Sequence, residues 1–429
     1  MLRNIRHILT NDLVKVSSWT GAATLIRIAA QFITSKVLAV LVGPSGLAIL
    51  GQLYNVGNIV QSIGSGGISI GVTKYVAEHS NNTKEVGQVI KASLKITFYW
   101  SLICSLIVIL CHSSIGYYSF NTNEYNGIIL TLGLTLMLFS FNNLFGAIIN
   151  GLKNYRLFIV INIATSIVNV IITVLFVGFW GIYGALLGFI ISPAFLFFVS
   201  YLLLYQQTWF SFDFLRAKVD FSLFKKFGKF SLVAINNAVV GALAQIVIRS
   251  MIIKNMSIET AGIWDGMNRL SNAYLILLTT SIQVYYLPTL ASISDPKKLW
   301  SEIMRSERVV LPLIIFLFVL LFLCRGVIVN VLFSPEFYLM KNVFLYQLVG
   351  DLVKVAGWML AYTMYAKAMT RSLIITDNLF TLINIALCFL LISSYGLNAI
   401  YYAYIINGTI YLIFIYLFLK HYILKGVYG

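Results

Sequence analysis

A chain of 429 residues that is 59% hydrophobic and 10% charged is not a soluble protein, in which about a quarter of residues carry charge. Its net charge of +16 would suggest nucleic acid in a soluble domain. Here the apolar runs are about 20–25 residues long, enough to cross a hydrocarbon core of roughly 30 Å, so composition excludes soluble enzymes and nucleic-acid binders and leaves a polytopic, all-α integral membrane protein.

The N-terminus, MLRNIRHILTNDLVKVSSW, lacks a short apolar core with a small-residue cleavage site. It reads as a basic amphipathic lead-in at the membrane surface rather than a removed signal. About twelve apolar segments follow, at 14–42, 46–76, 87–111, 126–150, 154–178, 181–206, 227–253, 259–291, 303–324, 339–367, 372–394 and 397–419. The longest polar stretch, QQTWFSFDFLRAKVDFSLFKKFGKF (206–230), divides them six and six. The expected organisation is an N-terminal lobe over 1–206, a cytoplasmic linker over 207–226 and a C-terminal lobe over 227–429.

Cations crowd the termini and alternate loops, among them Lys84, Lys153, Arg156, Arg216, Lys218, Lys297, Lys298, Lys367, Arg371 and Lys420, whereas the opposite loops hold Lys254, Arg325 and Lys341. Positive-inside bias then puts both termini in the cytoplasm, and the surplus charge favours anionic membrane lipids. That orientation also puts the sequon at Asn81 inside, away from glycosylation. The external loops are short, the longest near 112–125, and leave no room for an outer catalytic domain. Cys104, Cys111, Cys324 and Cys388 fall in apolar runs with no CxxC, and His7, His79, His112 and His421 sit at segment ends with no HExxH. No metal site or cofactor is expected.

A faint repeat relates the halves. GLAILGQLYN (46–55) aligns with AGIWDGMNRL (261–270), bringing Gly51 onto Gly266, and duplicated bundles flanking a site are a common transporter plan. Polar residues at helical spacing mark faces turned away from lipid. The first segment carries Thr20, Thr24, Arg27, Gln31 and Ser35; the second carries Asn55, Asn58, Ser62, Ser65 and Ser69. The fifth has Asn162, Ser166, Asn169 and Thr173, and the seventh has Asn237, Gln245 and Arg249. The eighth has Asp265, Arg269, Asn272 and Gln283, and the tenth has Gln347, Asp351 and Lys354. Each seam alone could be interhelical glue; six together, four of them charged, point to a shared water-filled cavity.

Charge sharpens the reading. Asp265 precedes Arg269 by four residues, the favourable order for a pair within one helix, and Asp351 can meet Lys354 three residues on. The alternative for either pair is a locked structural bridge with no ligand role. Arg27 and Arg249 have no acid within a turn of their own helix, so the cavity should carry a positive surplus and select an anion. A guanidinium fork suits phosphate in particular. Gln31 and Asn55 would line the same space. In SIGSGGISIG (62–71), Gly64, Gly66 and Gly67 weaken the helix by about 1 kcal/mol each relative to alanine. With Pro288 in the eighth segment, they are candidate hinges, and close packing explains the glycines as well.

The fragments GVTKYVAEH (71–79), GIWDGMNRLSNAYL (262–275), YLPTL (286–290), QLVGDLVKV (347–355) and YAKA (365–368) resemble the Wzx-type flippases of the multidrug/oligosaccharidyl-lipid/polysaccharide exporter superfamily. The likeness extends in order over nearly the whole chain and is strongest to the branch that carries lipid III of enterobacterial common antigen synthesis. The chain departs from that branch at Asn272, where the branch has an acid. The resemblance implies two six-helix lobes around a central cavity in the bacterial inner membrane. It also implies a cargo of undecaprenyl-diphosphate-linked oligosaccharide moved from the cytoplasmic to the periplasmic leaflet by alternating access. Arg27 and Arg249 would then meet the diphosphate or sugar acids, Asp351 and Lys354 would form a functional pair, and Asp265 or Asp351 would be the acid that takes up a coupling proton or sodium ion. An O-antigen polymerase and chain-length regulator are the implied partners. Richness in Ile, Phe, Tyr, Asn and Lys suggests an AT-rich gene, which favours an O-antigen repeat unit as cargo, with lipid III second. A glycan polymerase or glycosyltransferase would need a DxD or paired acids near a membrane face, and the sequence has no DxD. A multidrug antiporter on the same fold would favour an acidic cavity.

Overall fold

The structure, a computed structural model, describes residues 12–79, 82–205, 207, 215, 221–281, 286–293, 295–367 and 369–424. The lead-in over 1–11, the sequon residue Asn81 and nearly all of the linker at 207–220 lie outside them.

The described chain is helical: α1 (Asp12–Leu41), α2 (Gly43–Gly64), α3 (Ser69–Glu78), α4 (Thr83–Leu110), α5 (His112–Phe120), α6 (Asn126–Gly151), α7 (Tyr155–Leu204), α8 (Phe221–Asn255), α9 (Ile258–Ser281), α10 (Leu287–Ser292), α11 (Pro296–Leu323), α12 (Arg325–Leu332), α13 (Met340–Ala366), α14 (Thr370–Tyr395) and α15 (Asn398–Leu424). Among the described residues, nine helices are long and apolar enough to span a membrane. One of these, α7, has 50 residues, a straight length of about 75 Å, more than twice the hydrocarbon core. It is two crossings joined at Gly181, whose φ of 54° and ψ of −131° leave helical space. The halves fold back tightly: a Cβ on Gly184 would lie 1.9 Å from the Phe176 carbonyl oxygen. With α2 and α3 counted as one crossing, and α9 and α10 as another, the chain makes about twelve, in agreement with the apolar runs.

Local chemistry sets many helix ends. Asn82 accepts from the backbone N–H of Lys84 (3.2 Å) and Glu85 (3.4 Å) while its own amide donates to Glu85 Oε1 (2.9 Å), a reciprocal cap for α4. Asp295 accepts from Lys297 N (2.9 Å) and Lys298 N (3.4 Å), with Pro296 opening α11. Gly396, at φ 57°, separates α14 from α15.

Two expectations change. The second segment is not one helix: α2 ends at Gly64, and the chain resumes as α3 at Ser69. Gly66 and Gly67, at φ +67° and +60°, occupy the left-handed region that glycine enters without strain. In the eighth segment the described helices are α9, to Ser281, and α10, from Leu287, with 282–285 outside the described residues; Pro288 stands in the first turn of α10, where its missing N–H is tolerated. Finally, the stretches drawn as external loops hold short helices, α5 within 112–125 and α12 beyond Arg325.

By internal contacts the chain forms two compact units: Met1–Val37 with Gln52–Ala242, and Leu38–Gly51 with Leu243–Gly429. This division differs from the 206/227 expectation. It cuts α8 after Ala242, and it assigns Leu38–Gly51 to the second unit, where Pro44 packs so closely that a Cβ on Gly262 would lie 1.7 Å from its carbonyl oxygen.

The core of the first unit brings together Val72 and Val76 of α3, Ile90 and Leu94 of α4, Leu144, Phe145 and Ile148 of α6, and Phe227 of α8. Thr73 Oγ1 donates to the Ala147 carbonyl (3.0 Å), and the Trp100 indole donates to the Ile63 carbonyl (2.6 Å) just before the break in the second segment. In the second unit α13 lies against α15 through glycine: a Cβ on Gly350 would stand 2.3 Å from the Tyr404 ring, and one on Gly357 2.9 Å from Tyr411. Small residues allow this approach where lipid gives no hydrophobic drive between helices. Conversely, α11 buries only Leu299, Ile303, Ile314 and Phe318 and exposes Leu313, Phe316, Leu320 and Leu323, the distribution expected of a helix bathed in lipid.

Candidate functional site

Two buried polar centres lie within the second unit. The first joins α8 to α9. Arg249, 2% exposed, directs a two-pronged fork at Asp265: Nε donates to Oδ2 at 2.8 Å and Nη2 to Oδ1 at 2.6 Å. The Trp264 ring lies 5.6 Å from the guanidinium carbon. Gly51 of α2 closes the other side; a Cβ there would fall 2.5 Å from Asp265 Oδ2 and 2.6 Å from Arg249 Nη2.

This corrects two expectations. Arg249 is not a cation without an acid, and the partner of Asp265 in the bridge is Arg249, not Arg269. A pair within one helix is all that spacing on one helix can offer. The turn between α8 and α9 brings Arg249 and Asp265 together across 16 positions and lets one guanidinium edge, Nε with Nη2, face both carboxylate oxygens. Arg269 is half-buried one turn further along α9 and still acts electrostatically on Asp265. With its Nε–Nη2 edge filled by Asp265 and only 2% exposure, Arg249 is not open to an anionic cargo in this arrangement.

The second centre is Asp351 of α13, fully buried. It accepts from Ser271 Oγ (2.6 Å) and Tyr274 Oη of α9, Gln347 Nε2 of its own helix (3.1 Å) and Tyr404 Oη of α15 (2.8 Å). Lys354 is not in the bridge expected with Asp351. Its ammonium lies 4.8 Å from the Trp358 ring and 5.3 Å from the Tyr404 ring, so aromatic faces hold the cation while neutral donors hold the carboxylate. Near both centres, Asn268 Nδ2 and Tyr401 Oη are buried without a hydrogen-bond partner among the described residues, and Tyr401 lies within electrostatic range of Asp265 and Asp351. Such groups in a native interior generally mark places for water.

The sequence missed Ser271, Tyr274, Tyr401 and Tyr404. Ser271 and Tyr274 continue the three-residue step from Asp265 and Asn268 along α9, a signal present but passed over for the step through Asn272, which is exposed. The tyrosines of α15 carried no signal, since tyrosine is common in the apolar runs.

The remaining predicted residues fall in the first unit. Arg27 is exposed on α1, and among the described residues no carboxylate reaches it. Gln31 is half-buried one turn later, and Asn55 is buried in α2. Gly64 is a contact glycine, since a Cβ would meet Leu136 at 2.7 Å, while a Cβ on Gly67 would meet the Ser231 carbonyl oxygen at 3.0 Å. Among the described residues, no group of three or more His, Cys, Asp or Glu could hold a metal ion.

Over its whole length the fold resembles transporters of known structure. It matches an inward-facing multidrug resistance MATE family transporter of the MOP superfamily with a TM-score of 0.79 at 13% identity, covering 95% of this chain and 100% of the other. A MOP superfamily transporter from Pyrococcus furiosus, described as having a binding pocket of reverse polarity, matches with a TM-score of 0.65 at 12% identity, over 95% and 96% of the two chains. By sequence, the chain is 30% identical to the lipid III flippases of Escherichia coli (strain K12) and Shigella flexneri over 366 residues, 85% of this chain and 88% of theirs. These relatives are carriers rather than enzymes. A family model described as polysaccharide biosynthesis protein matches residues 37–342, and the chain therefore belongs to that family.

Proposed function

We propose that this protein flips a diphosphate-linked lipid oligosaccharide from the cytoplasmic to the outer leaflet of the bacterial inner membrane, with both termini inside, by alternating access between two lobes. The observation that carries the reading is the 30% identity to two lipid III flippases across nearly nine-tenths of their length. Undecaprenyl-diphosphate-linked glycan is the cargo class. Lipid III is the version favoured by these relatives; an O-antigen repeat unit is favoured by the composition, and an O-antigen polymerase and chain-length regulator would be partners only in that case.

The cationic role now rests on Arg27, exposed on α1, rather than on Arg249. Asp351 is the better candidate for uptake of a coupling proton or sodium ion, because neutral donors surround it, whereas Asp265 is already neutralised by a guanidinium. The break at Gly66–Gly67 and the proline of α10, Pro288, are the bending points. Gly64, by contrast, serves close packing.

The test is complementation. Expressed in a strain lacking its own lipid III flippase, the protein should restore the surface polymer built on that lipid; in a strain lacking its O-antigen flippase, it should restore O-antigen. Restoration of one and not the other identifies the cargo. Restoration of neither, by protein shown to be folded in the inner membrane, would overturn the reading.

A further inference from the structure

The second unit holds a cavity of about 430 Å³ lined by Leu323, Arg325, Gly326, Tyr338, Lys341 and Asn342. It opens where α11 gives way to α12 and where the short turn Pro335–Phe337 leads into α13. This is the charge-poor end of the unit: cations crowd the opposite end at Lys297, Lys298, Lys367, Arg371 and Lys420, while this one has Lys254, Arg325 and Lys341. Two of these last residues converge on one cavity.

Both cations are positioned but not neutralised. The Arg325 guanidinium lies 4.0 Å over the Phe322 ring, and its Nη1 donates to the Phe322 carbonyl at 2.9 Å. The Lys341 ammonium lies 3.8 Å over the Tyr338 ring. Aromatic faces fix a cation without cancelling its charge, and among the described residues no carboxylate lies within ion-pair distance of either. The Asn342 amide and the Tyr338 hydroxyl supply neutral donors. Directly beside the cavity, α11 and α12 expose an apolar track: Leu313, Phe316, Leu320, Leu323 and Val327.

A forked cation, an ammonium and neutral donors above a lipid-facing stripe match one ligand chemistry. We propose that this cavity binds the phosphate headgroup of an anionic lipid whose chains lie along α11. The site is separate from the buried centres of α9 and α13 and does not depend on which glycan is carried.

The test uses the full-length protein, purified in neutral detergent and titrated in native mass spectrometry with phosphatidylglycerol, phosphatidylcholine or undecaprenyl diphosphate. Wild type should bind phosphatidylglycerol or undecaprenyl diphosphate in preference to phosphatidylcholine, and the preferred lipid identifies the source of the headgroup. R325Q/K341Q, which removes two charge-assisted contacts, should weaken that binding by about tenfold or more. The charge-preserving R325K/K341R should keep most of it, and K254Q, which removes the charge that does not line the cavity, should keep all of it. Equal thermal stability of the variants in the same detergent excludes misfolding; if the double variant unfolds, R325Q and K341Q are read singly. Unchanged binding in the glutamine variants, an equal loss in K254Q, or no preference over phosphatidylcholine would overturn the proposal.

Discussion

Gly51 lacks a side chain because an ion pair occupies the space where one would go. A Cβ would stand 2.5 Å from Asp265 and 2.6 Å from Arg249. Both atoms are the tips of flexible side chains, but each tip is committed to the other through the buried fork, so giving way means breaking the bridge. G51A is expected to lower stability by about 1–3 kcal/mol. D265N should cost more, about 3–5 kcal/mol, because it leaves the guanidinium buried without its counter-charge. The double replacement R249M/D265L, which removes both charges, should recover most of that loss. Thermal unfolding of the four proteins in one detergent checks the order; a D265N protein as stable as wild type would mean that the fork contributes little. The bridge also shows how far sequence reading reached. The charges at 249 and 265 were visible as costly residues in an apolar setting, but sequence reading put them on the wall of a water-filled cavity rather than in a buried bridge. Their pairing was not legible, because it depends on how two helices meet. The same holds for Asp351, whose partners Ser271, Tyr274 and Tyr404 lie 80, 77 and 53 positions away.

At the scale of elements, the fold was most legible where hydrophobic length alone decides the outcome, as in α4, α6, α13, α14 and α15. It was least legible where a long apolar run hides a break, because a run of apolar residues reads the same in one helix or two. The clue in the second segment was glycine, and the structure gives its physical content. At Gly66 the backbone has φ +67°, and a Cβ would stand 3.3 Å from Trp100; at Gly67 the corresponding neighbour is the Ser231 carbonyl oxygen at 3.0 Å. The left-handed backbone alone costs a side chain about 1–2 kcal/mol. G66A should therefore destabilise by roughly that amount, and G67A by more, since a backbone atom of α8 cannot swing aside. If the break also serves transport, G67A should reduce glycan export below what its amount in the membrane accounts for. Export in proportion to protein amount would leave the break a purely structural feature. The measurement is surface glycan per unit of membrane-inserted protein, compared with the melting temperature of the same variant.

At the scale of the whole molecule, orientation and charge make one argument. The surplus of Lys and Arg at one set of loops is a topology signal, and it predicts which ends of the helices face the cytoplasm. A periplasm-active reporter enzyme fused after Asn255, in the turn between α8 and α9, should be active. The same reporter fused after Lys367, between α13 and α14, should be silent, and a cytoplasm-active reporter should give the reverse pattern. Once that frame holds, the membrane-embedded charges can be sorted by what they can still do. Arg249 is committed to Asp265 and so cannot greet an incoming phosphate without first abandoning a buried acid. Arg27, exposed on α1, pays no such cost. R27A should therefore abolish surface glycan while leaving protein level and melting temperature close to wild type, whereas R249A should lower all three together. R27K should rescue only in part, because an ammonium keeps the charge but loses the planar fork that grips two phosphate oxygens at once. Normal glycan in R27A, at wild-type protein level, would remove the cation from the transport step and with it the reason for expecting an anionic cargo to be recognised in the first unit.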